Sequence, residues 1–278
     1  MPSHVPFTEQ ALRKQPCSAT SGWDRRDAKT SGIWACELET LTPLCINSRE
    51  FQQQRGDWKD QAALPASSLR GMIRNVAEVL GAGCGRFYGA PDLPSALRPC
   101  DERGACLVCR VFGFVHANFS WQSRVRITDT KRAKVAWTTH NLNRRTVDFD
   151  YYDEDPAVAR REGWAVFPSF EPGPLPSGNP SRDVGCIAPG ARFPFRVEYT
   201  NLDDEEYAVL RFAVTLSHAG RGLDLTHKLG FAKALGLGSC RVRILLPKDP
   251  RPMGAEIDYY LSQPGLADFA RLRTLANE

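Results

Sequence analysis

The sequence predicts an α+β domain with a ferredoxin-like core, because two strand–helix–strand units follow each other along the chain. Apolar residues alternate with polar ones in the strand segments, and they recur every three or four residues in the helix segments. The strand segments are 33–41, 111–129, 192–200 and 240–246, and the helix segments are 67–80 and 202–216. This order of elements is that of ferredoxin-like domains.

The composition is that of a soluble globular protein with a mild positive charge. The 278 residues are 42% hydrophobic and 24% charged, and the net charge of +4 permits a nucleic-acid partner without requiring one. No apolar run approaches the roughly 20 residues that span a bilayer, and the first residues lack signal-peptide character. We therefore expect a cytoplasmic protein with a polar arm at 1–30, a main domain at 31–250 and a tail or helix at 251–278.

Nine cysteines in a cytoplasmic protein indicate free thiols and metal ligands rather than disulfides. Four of the nine lie close together in the first half of the chain. The five others are scattered, and we expect them to be inert: Cys17, Cys36, Cys45, Cys186 and Cys240.

The segment between the first strand and the first helix is polar. It spans 43–63, contains Gly56 and a run of glutamines, and is predicted to be a loop. The chain then enters the helix at 67–80.

The helix at 67–80 carries its apolar residues on one face and Arg70, Arg74 and Glu78 on another, at spacings of four. Ser67 or Ser68 can cap its N-terminus, where free N–H groups and a partial positive charge suit a phosphate. The two arginines would add full charges to such a site. The alternative is an ordinary capped helix of the core, and the helix by itself does not decide between the two.

A glycine- and proline-rich insertion at 81–112 contains four cysteines: Cys84, Cys100, Cys106 and Cys109. The last two form a Cys-x-x-Cys pair, which can present two thiolates to one tetrahedral metal. Four thiolates without an open position predict structural zinc, which would supply the cohesion that few apolar residues provide here. His116 is a candidate substitute ligand, because fifteen residues separate the first two cysteines. Incidental reduced cysteines and a redox-active pair are the alternatives.

The segment 130–188 is basic at its start, then aromatic and acidic, and it includes a proline-rich loop at 171–180. Its first part, 130–155, is typical of a protruding β-hairpin, and an ordinary solvated hairpin is the alternative. The later helix has acidic residues in its first turn, which complement the helix dipole. A glycine-rich loop at 220–238 leads into the last strand.

Four blocks of this sequence resemble the RAMP superfamily, the RNA-binding subunits of CRISPR effector complexes. They occur in the family's order, cover about residues 32–246 and look most like backbone subunits of type III and related class 1 systems. The cysteine insertion resembles that of zinc-bearing members. A glycine usually stands in the family where this chain has Ala66. The blocks are 65–74, which resembles the signature helix, 109–113 with 123–125 and Asp129, 189–193, and 229–242.

The resemblance implies an RNA-recognition-motif-like core that binds guide RNA (crRNA) whatever its sequence. Such a subunit would polymerise along the guide with copies of itself and hold the guide–target RNA duplex. It would also contact other effector subunits, in some systems a separate nuclease, and no membrane. The segment 130–188 would form a hairpin thumb that wedges between bases.

The resemblance and the chemistry of the residues together assign a set of RNA-binding positions. Basic residues would hold phosphates, and glycines would let main-chain N–H groups approach them closely, with a tight turn into the last strand as the alternative for the glycine-rich loop. The assigned residues are Arg49, Arg55, Ser67, Ser68, Arg70, Arg74, Arg124, Arg126, Lys131, Arg132, Arg144, Arg145, His227, Lys228, Lys233, Gly236 and Gly238.

Asp57 is the candidate residue for RNA cleavage. In some type III backbone subunits an aspartate before the signature helix supports cutting of the target RNA, and Asp57 lies in the matching segment. A carboxylate there could act as a general base or hold magnesium near the scissile phosphate. No second acid or histidine completes an obvious catalytic set in this segment, which favours a binding subunit. An RNA endonuclease and a stand-alone zinc-stabilised RNA-binding module are the alternatives.

Overall fold

A computed structural model describes residues 3–6, 30–46, 48–80, 83–84, 99–101, 104–116, 119–142, 163–166, 182–218, 223–233 and 236–246. Most of the predicted arm and the whole predicted tail lie outside these ranges, and the predicted domain boundaries stay predictions. None of the helices in these ranges is long and apolar enough to cross a lipid bilayer. The helices are α1 (Arg49–Asp57), α2 (Ala66–Leu80), α3 (Leu107–Phe112) and α4 (Asp204–Thr215).

The strands form one five-stranded sheet, one three-stranded sheet and four pairs of short strands within the described ranges. They are β1 (Ser3–Pro6), β2 (Thr30–Thr40), β3 (Leu44–Cys45), β4 (Gln61–Ala62), β5 (Phe114–His116), β6 (Phe119–Trp121), β7 (Val125–Ile127), β8 (Ala133–Lys134), β9 (Trp137–Leu142), β10 (Gly163–Val166), β11 (Arg182–Ile187), β12 (Arg192–Leu202), β13 (Ser217–His218), β14 (Leu223–Asp224), β15 (His227–Lys228) and β16 (Ser239–Leu246).

The five-stranded antiparallel sheet is the centre of the fold. Its order is β15-β16-β2-β12-β7, so that β2 pairs with β16 on one side and with β12 on the other. Helices α2 and α4 contact each other, and α4 also contacts β12 and β16. This mixed architecture with an antiparallel sheet agrees with the predicted α+β class.

Alternation along β12 determines which face of the sheet is buried. Phe193, Phe195, Val197 and Tyr199 point into the core, whereas the residues alternating with them on the opposite face are exposed or half-buried. Each fully buried side chain of this kind contributes roughly 1.5–3 kcal/mol of transfer free energy. The alternation of apolar and polar residues that predicted this strand therefore arises because one face of the strand is buried and the other is exposed.

An aromatic cluster joins the sheet to α4. The ring of Trp34 on β2 lies 4.6 Å from that of Tyr199 and 5.4 Å from that of Tyr207, centroid to centroid, and the two tyrosine rings are 5.6 Å apart. The tilted and edge-on geometries are those that aromatic pairs prefer. The cluster fixes α4 over the inner face of the sheet.

A buried carboxylate holds the start of α4. Asp203 caps the helix and forms a reciprocal capping box with Glu206. The Glu206 side chain is fully buried and pairs with Arg124 at 3.0 Å and with Arg110 at 3.2 Å. This network joins α3, the segment before β7, and α4.

The polar segment 43–63 is not the predicted loop, because it contains β3, α1 and β4. Ser48 caps α1, and Phe51 is its single buried residue. The helix is anchored on β11 by Gln52, whose amide donates to the Gly185 carbonyl at 3.0 Å and accepts from the Gly185 N–H at 2.8 Å. Gln54 makes a similar pair of hydrogen bonds to the backbone of Ala63. A helix held by one apolar residue and two amides leaves no amphipathic pattern in the sequence.

The segment 111–129 is less regular than the single extended stretch that the sequence predicts. Its first two residues end α3, and Gly113, at φ 71°, turns the chain out of the helix. Three short strands, β5 to β7, follow. The predicted alternation is real only in β7, where Val125 and Ile127 are buried and Arg126 is exposed.

Cys45 and Cys186 form a buried disulfide between β3 and β11, which corrects the prediction that both are inert free thiols. The two residues are direct partners in the antiparallel pairing of these strands. They are 141 positions apart in the sequence, so spacing alone could not reveal the pair. The remaining described cysteines are free thiols.

Candidate nucleic-acid interface and metal centre

The four clustered cysteines converge on one point. The Sγ atoms of Cys84, Cys100, Cys106 and Cys109 all lie within 4.8 Å of one another, and all four residues are buried. The Sγ atoms of Cys84 and Cys109 are 3.6 Å apart. A tetrahedral zinc with bonds of about 2.3 Å to sulfur requires sulfur atoms about 3.8 Å apart. The cluster therefore has the dimensions to hold a metal ion.

Backbone groups prepare these sulfur atoms to act as ligands. The N–H of Cys106 donates to the Cys100 Sγ at 3.1 Å, and the N–H of Cys109 donates to the Cys106 Sγ at 3.5 Å as α3 begins. Hydrogen bonds among the four thiols lower the pKa of Cys84 and of Cys100 and raise the pKa of Cys106 and of Cys109. Metal binding requires thiolates, and the two backbone N–H donors favour that form at Cys100 and Cys106.

Arg74 links α2 to the cysteine cluster. Its guanidinium donates to the Glu78 carboxylate at 2.8 Å, to the Gly113 carbonyl at 3.1 Å and to the Cys109 Sγ at 3.8 Å. A cation beside a set of thiolates offsets part of their negative charge. These contacts favour the interpretation of Arg74 as a core residue, and its RNA-binding role stays a prediction.

Arg70, like Arg74, forms hydrogen bonds to other groups of the protein. It donates to the Val125 carbonyl at 2.9 Å, to the Ser123 hydroxyl at 3.1 Å and to the Phe112 carbonyl. Its guanidinium also lies 5.4 Å from the centre of the Phe112 ring. The donors of Arg70 thus bind the ends of α3 and β7, which again favours the core alternative for this face of α2.

The N-terminus of α2 is capped by Asp129, not by Ser67 or Ser68 as the sequence predicts. The Ala66 N–H donates to the Asp129 carboxylate at 2.7 Å. The Ser68 N–H donates to the Pro65 carbonyl at 3.1 Å, and Ser67 is exposed. A carboxylate of the chain itself therefore occupies the helix end that the sequence suggested for a phosphate.

Arg124 and His227, both predicted to bind RNA, lie inside the protein. Arg124 is 8% exposed and pairs with Glu206, as described above. His227 is 1% exposed and its Nε2 bonds to the Val214 carbonyl. Burial lowers the pKa of His227 to about 4, so its ring is neutral near pH 7. Neither side chain is placed to meet a nucleic acid, and we leave both out of the proposed interface.

The glycine-rich loop is shaped by close packing. Gly238 adopts φ 74°, and a Cβ there would overlap the Leu229 carbonyl. Gly236 adopts φ 84°, and its carbonyl accepts from the Lys228 ammonium at 3.1 Å. Burial lowers the pKa of Lys228 to about 8. These contacts favour the tight-turn alternative for this loop; Lys233 is half-buried, and burial lowers its pKa as well.

Six exposed cations lie on α1, directly after it, and in or next to β8, which pairs with β4. We call this region the α1–β8 surface. In the part of the chain that the structure describes, none of the six forms an ion pair or a side-chain hydrogen bond. By contrast, Arg192 and Arg243 on the outer face of the central sheet pair with glutamates. The six are Arg49, Arg55, Lys59, Lys131, Arg132 and Lys134.

Two backbone features bring the members of this surface together. The β4–β8 pairing sets Gln61 opposite Lys134, and the Val135 N–H donates to the Asp60 carbonyl at 2.7 Å. The guanidinium of Arg132 lies over the Trp58 ring, 4.0 Å from its centre. Residues 58–62 and 132–135 therefore lie side by side next to the end of α1, with Ala62 and Val135 buried and the charged side chains exposed.

Trp58 and Lys59 were missed by the sequence analysis. They directly follow the Arg55-Gly56-Asp57 stretch, and an aromatic residue among basic ones is the signal that could have identified them.

Asp57, the candidate residue for RNA cleavage, is exposed at the C-terminal end of α1. Arg126 has an 80% exposed side chain 3.9 Å from Glu198, and Arg144 and Arg145 lie outside the described residues.

Two strands within the predicted thumb segment pair with each other. Strand β9 pairs with β11 in antiparallel register, from Trp137 opposite Ile187 to Leu142 opposite Arg182. Between these strands the structure describes residues 163–166, which pair as β10 with β1. The tip of the predicted thumb lies outside the described residues.

A family model and two solved structures are similar to this chain. The model of the RAMP superfamily matches residues 37–241. The crystal structure of Csc2 from Thermofilum pendens has 15% identity and a TM-score of 0.41, covering 91% of this chain and 79% of that chain. A type IV-B CRISPR complex has 13% identity and a TM-score of 0.41, covering 80% of this chain and 95% of that chain. No curated protein matches the sequence.

Proposed function

Because the chain belongs to the RAMP superfamily, we propose that it is a crRNA-binding backbone subunit of a CRISPR effector complex. The subunit grips the guide RNA by its backbone, polymerises along it with further copies of itself, and holds the guide–target RNA duplex together with other effector subunits. The resemblance of the sequence blocks to backbone subunits of type III and related systems supports this role.

The observation that carries the proposal is the α1–β8 surface. A carboxylate beside a cation offsets its charge and repels a phosphate, so cations without such a neighbour attract an RNA backbone more strongly. The six cations of this surface are exposed and have no such partner among the described residues. Contacts of this kind bind RNA of any sequence, as a guide-binding subunit must.

We infer that the central sheet is a ferredoxin-like core. Taken in chain order, β2, β7, β12 and β16 correspond to the four strands that the sequence predicts, and they lie side by side as β16-β2-β12-β7. Helix α2 connects the first strand to the second, and α4 connects the third to the fourth. This arrangement supports an RNA-recognition-motif-like scaffold.

We infer that the four cysteines hold structural zinc. Four buried thiolates satisfy all positions of a tetrahedral ion and leave none for a substrate. The ion would tie residues 83–84, 99–101 and α3 together, and Arg74 would connect that unit to α2.

RNA cleavage through Asp57 stays an alternative prediction. The residue is exposed next to the α1–β8 surface, where a carboxylate could hold magnesium beside a bound phosphate. The one group of three or more potential metal ligands among the described residues is the cysteine cluster. A stand-alone zinc-stabilised RNA-binding module is the other alternative.

The proposal predicts that the double variant Arg55→Ala, Lys131→Ala binds single-stranded RNA more weakly than the wild type and with a lower dependence on salt. Each lost phosphate contact reduces the slope of log K against log salt by about 0.7, so two contacts reduce it by about 1.4. Fluorescence anisotropy with a labelled RNA across a salt series measures both quantities.

The matched control is Arg192→Ala, Arg243→Ala, which removes the same charge from residues that pair with Glu39. This control should keep a slope close to that of the wild type. Equal losses in the two double variants would show that net charge, not the α1–β8 surface, determines binding, and would contradict the proposal.

A further inference from the structure

We propose that Trp58 and Arg132 form a two-layer stacking platform for one unpaired RNA base at the centre of the α1–β8 surface. The guanidinium of Arg132 covers the indole ring, and its outer face receives the base. This inference rests on the proposed function and specifies which part of the RNA this site contacts.

The geometry of the pair supports stacking. The Arg132 guanidinium carbon lies 4.0 Å from the Trp58 ring centre, which is the distance of a cation directly over the face of the ring. Trp58 is half-buried, and its backbone N–H donates to the Gln54 carbonyl, which places the residue at the C-terminal cap of α1. The indole is the inner layer of the pair, and the Arg132 guanidinium is the outer layer.

The guanidinium of Arg132, which is the outer layer, is accessible to a ligand. Arg132 is exposed, and within the described ranges it has no hydrogen-bond or ion-pair partner. A guanidinium stacked by one face keeps its N–H donors in the plane and presents its second face to solvent. Nucleic-acid bases stack on guanidinium planes as well as on aromatic rings.

The charges around the pair favour a base over a second phosphate at this point. Asp57 and Asp60 flank Trp58 along the chain and are exposed, so the immediate surroundings of the platform are not purely basic. Lys59 and Lys131 lie next to Trp58 and Arg132 in sequence and can bind the phosphates on either side of a stacked base. Lys59 adopts φ 52°, a backbone conformation that favours glycine, so the turn holds a lysine where a glycine would be less strained.

The test compares a short single-stranded RNA with a chain of the same length in which every nucleotide is a stable abasic analogue. The variant Arg132→Lys keeps the charge and removes the plane. We expect this variant to bind the RNA about tenfold more weakly than the wild type does. On the abasic chain, its affinity should equal that of the wild type. The variant Trp58→Phe, which keeps an aromatic face, should lose less than Trp58→Ala on RNA and nothing on the abasic chain.

Lys131→Ala is the control for charge, and it should weaken binding of both chains by the same factor. If Arg132→Lys weakens neither chain, or both equally, while the wild type binds RNA, the platform is wrong and the proposed function stands. If the wild type does not bind the RNA at all, the proposed function fails together with the platform. Equal competition by an acidic peptide such as polyglutamate would show an anion site and overturn the platform.

Discussion

Replacing Cys109 with alanine is expected to release one zinc ion per chain and to lower the melting temperature by about 10 °C or more. Residues 83–84 and 99–101, which carry two of the four ligands, include no large apolar side chain, so a metal would supply most of the cohesion there. Loss of several kcal/mol at about 2 to 4 °C per kcal/mol gives a shift of this size for a chain of this length. Metal analysis of the purified protein and thermal unfolding measure the two effects.

Cys36→Ala is the matched control for this variant. Cys36 is also buried and free, and its Sγ donates to the Trp34 carbonyl away from the cluster. The control should keep its zinc and lose about 1 kcal/mol, as ordinary core truncations do. Equal zinc content and equal melting temperatures in the two variants would show that the cluster holds no structural metal.

Replacing Glu206 with glutamine is expected to destabilise the fold by about 3 to 5 kcal/mol. The carboxylate is fully buried between Arg124 and Arg110, whose side chains are 6% and 12% exposed. Burial raises the pKa of Glu206 while the two arginines lower it. Glutamine removes the buried negative charge that both guanidinium groups contact, and removing one partner of a buried ionic network is strongly destabilising. Urea denaturation at neutral pH measures the change.

Glu205→Gln tests whether burial causes this effect. Glu205 is the preceding residue of α4, is 41% exposed and approaches Arg110 at 3.7 Å. Exposed pairs of this kind contribute little, so the variant should differ from the wild type by less than about 1 kcal/mol. A similar loss in both variants would mean that helix charge in general, not the buried network, stabilises this region.

Local patterns in the sequence predicted the strands and helices that bury one face and expose the other. Strand β12 and helix α2 each place apolar residues at a regular period because one face of each is buried. Helix α1 lacks such a pattern, since Phe51 is its one buried residue. The cysteine cluster was also predictable, because its ligands are close in sequence. The Cys45–Cys186 disulfide was not, because the pairing of β3 with β11 creates it.

The same limit explains which site residues could be predicted. A basic residue looks the same in sequence whether its partner is solvent or a distant carbonyl. Arg70 and Arg124 bind groups more than 50 positions away, and the cap of α2 comes from Asp129, 63 positions from Ala66. Arg132 is exposed over the Trp58 ring and forms no ion pair among the described residues.

The most direct test of the central claim is the stoichiometry of the complex on guide RNA of increasing length. Native electrophoresis or light scattering with repeat-derived RNA gives the number of subunits bound to each length. A backbone subunit predicts a number that rises in regular steps as the RNA is lengthened. A single subunit per RNA at every length would contradict the account and would favour a stand-alone RNA-binding module.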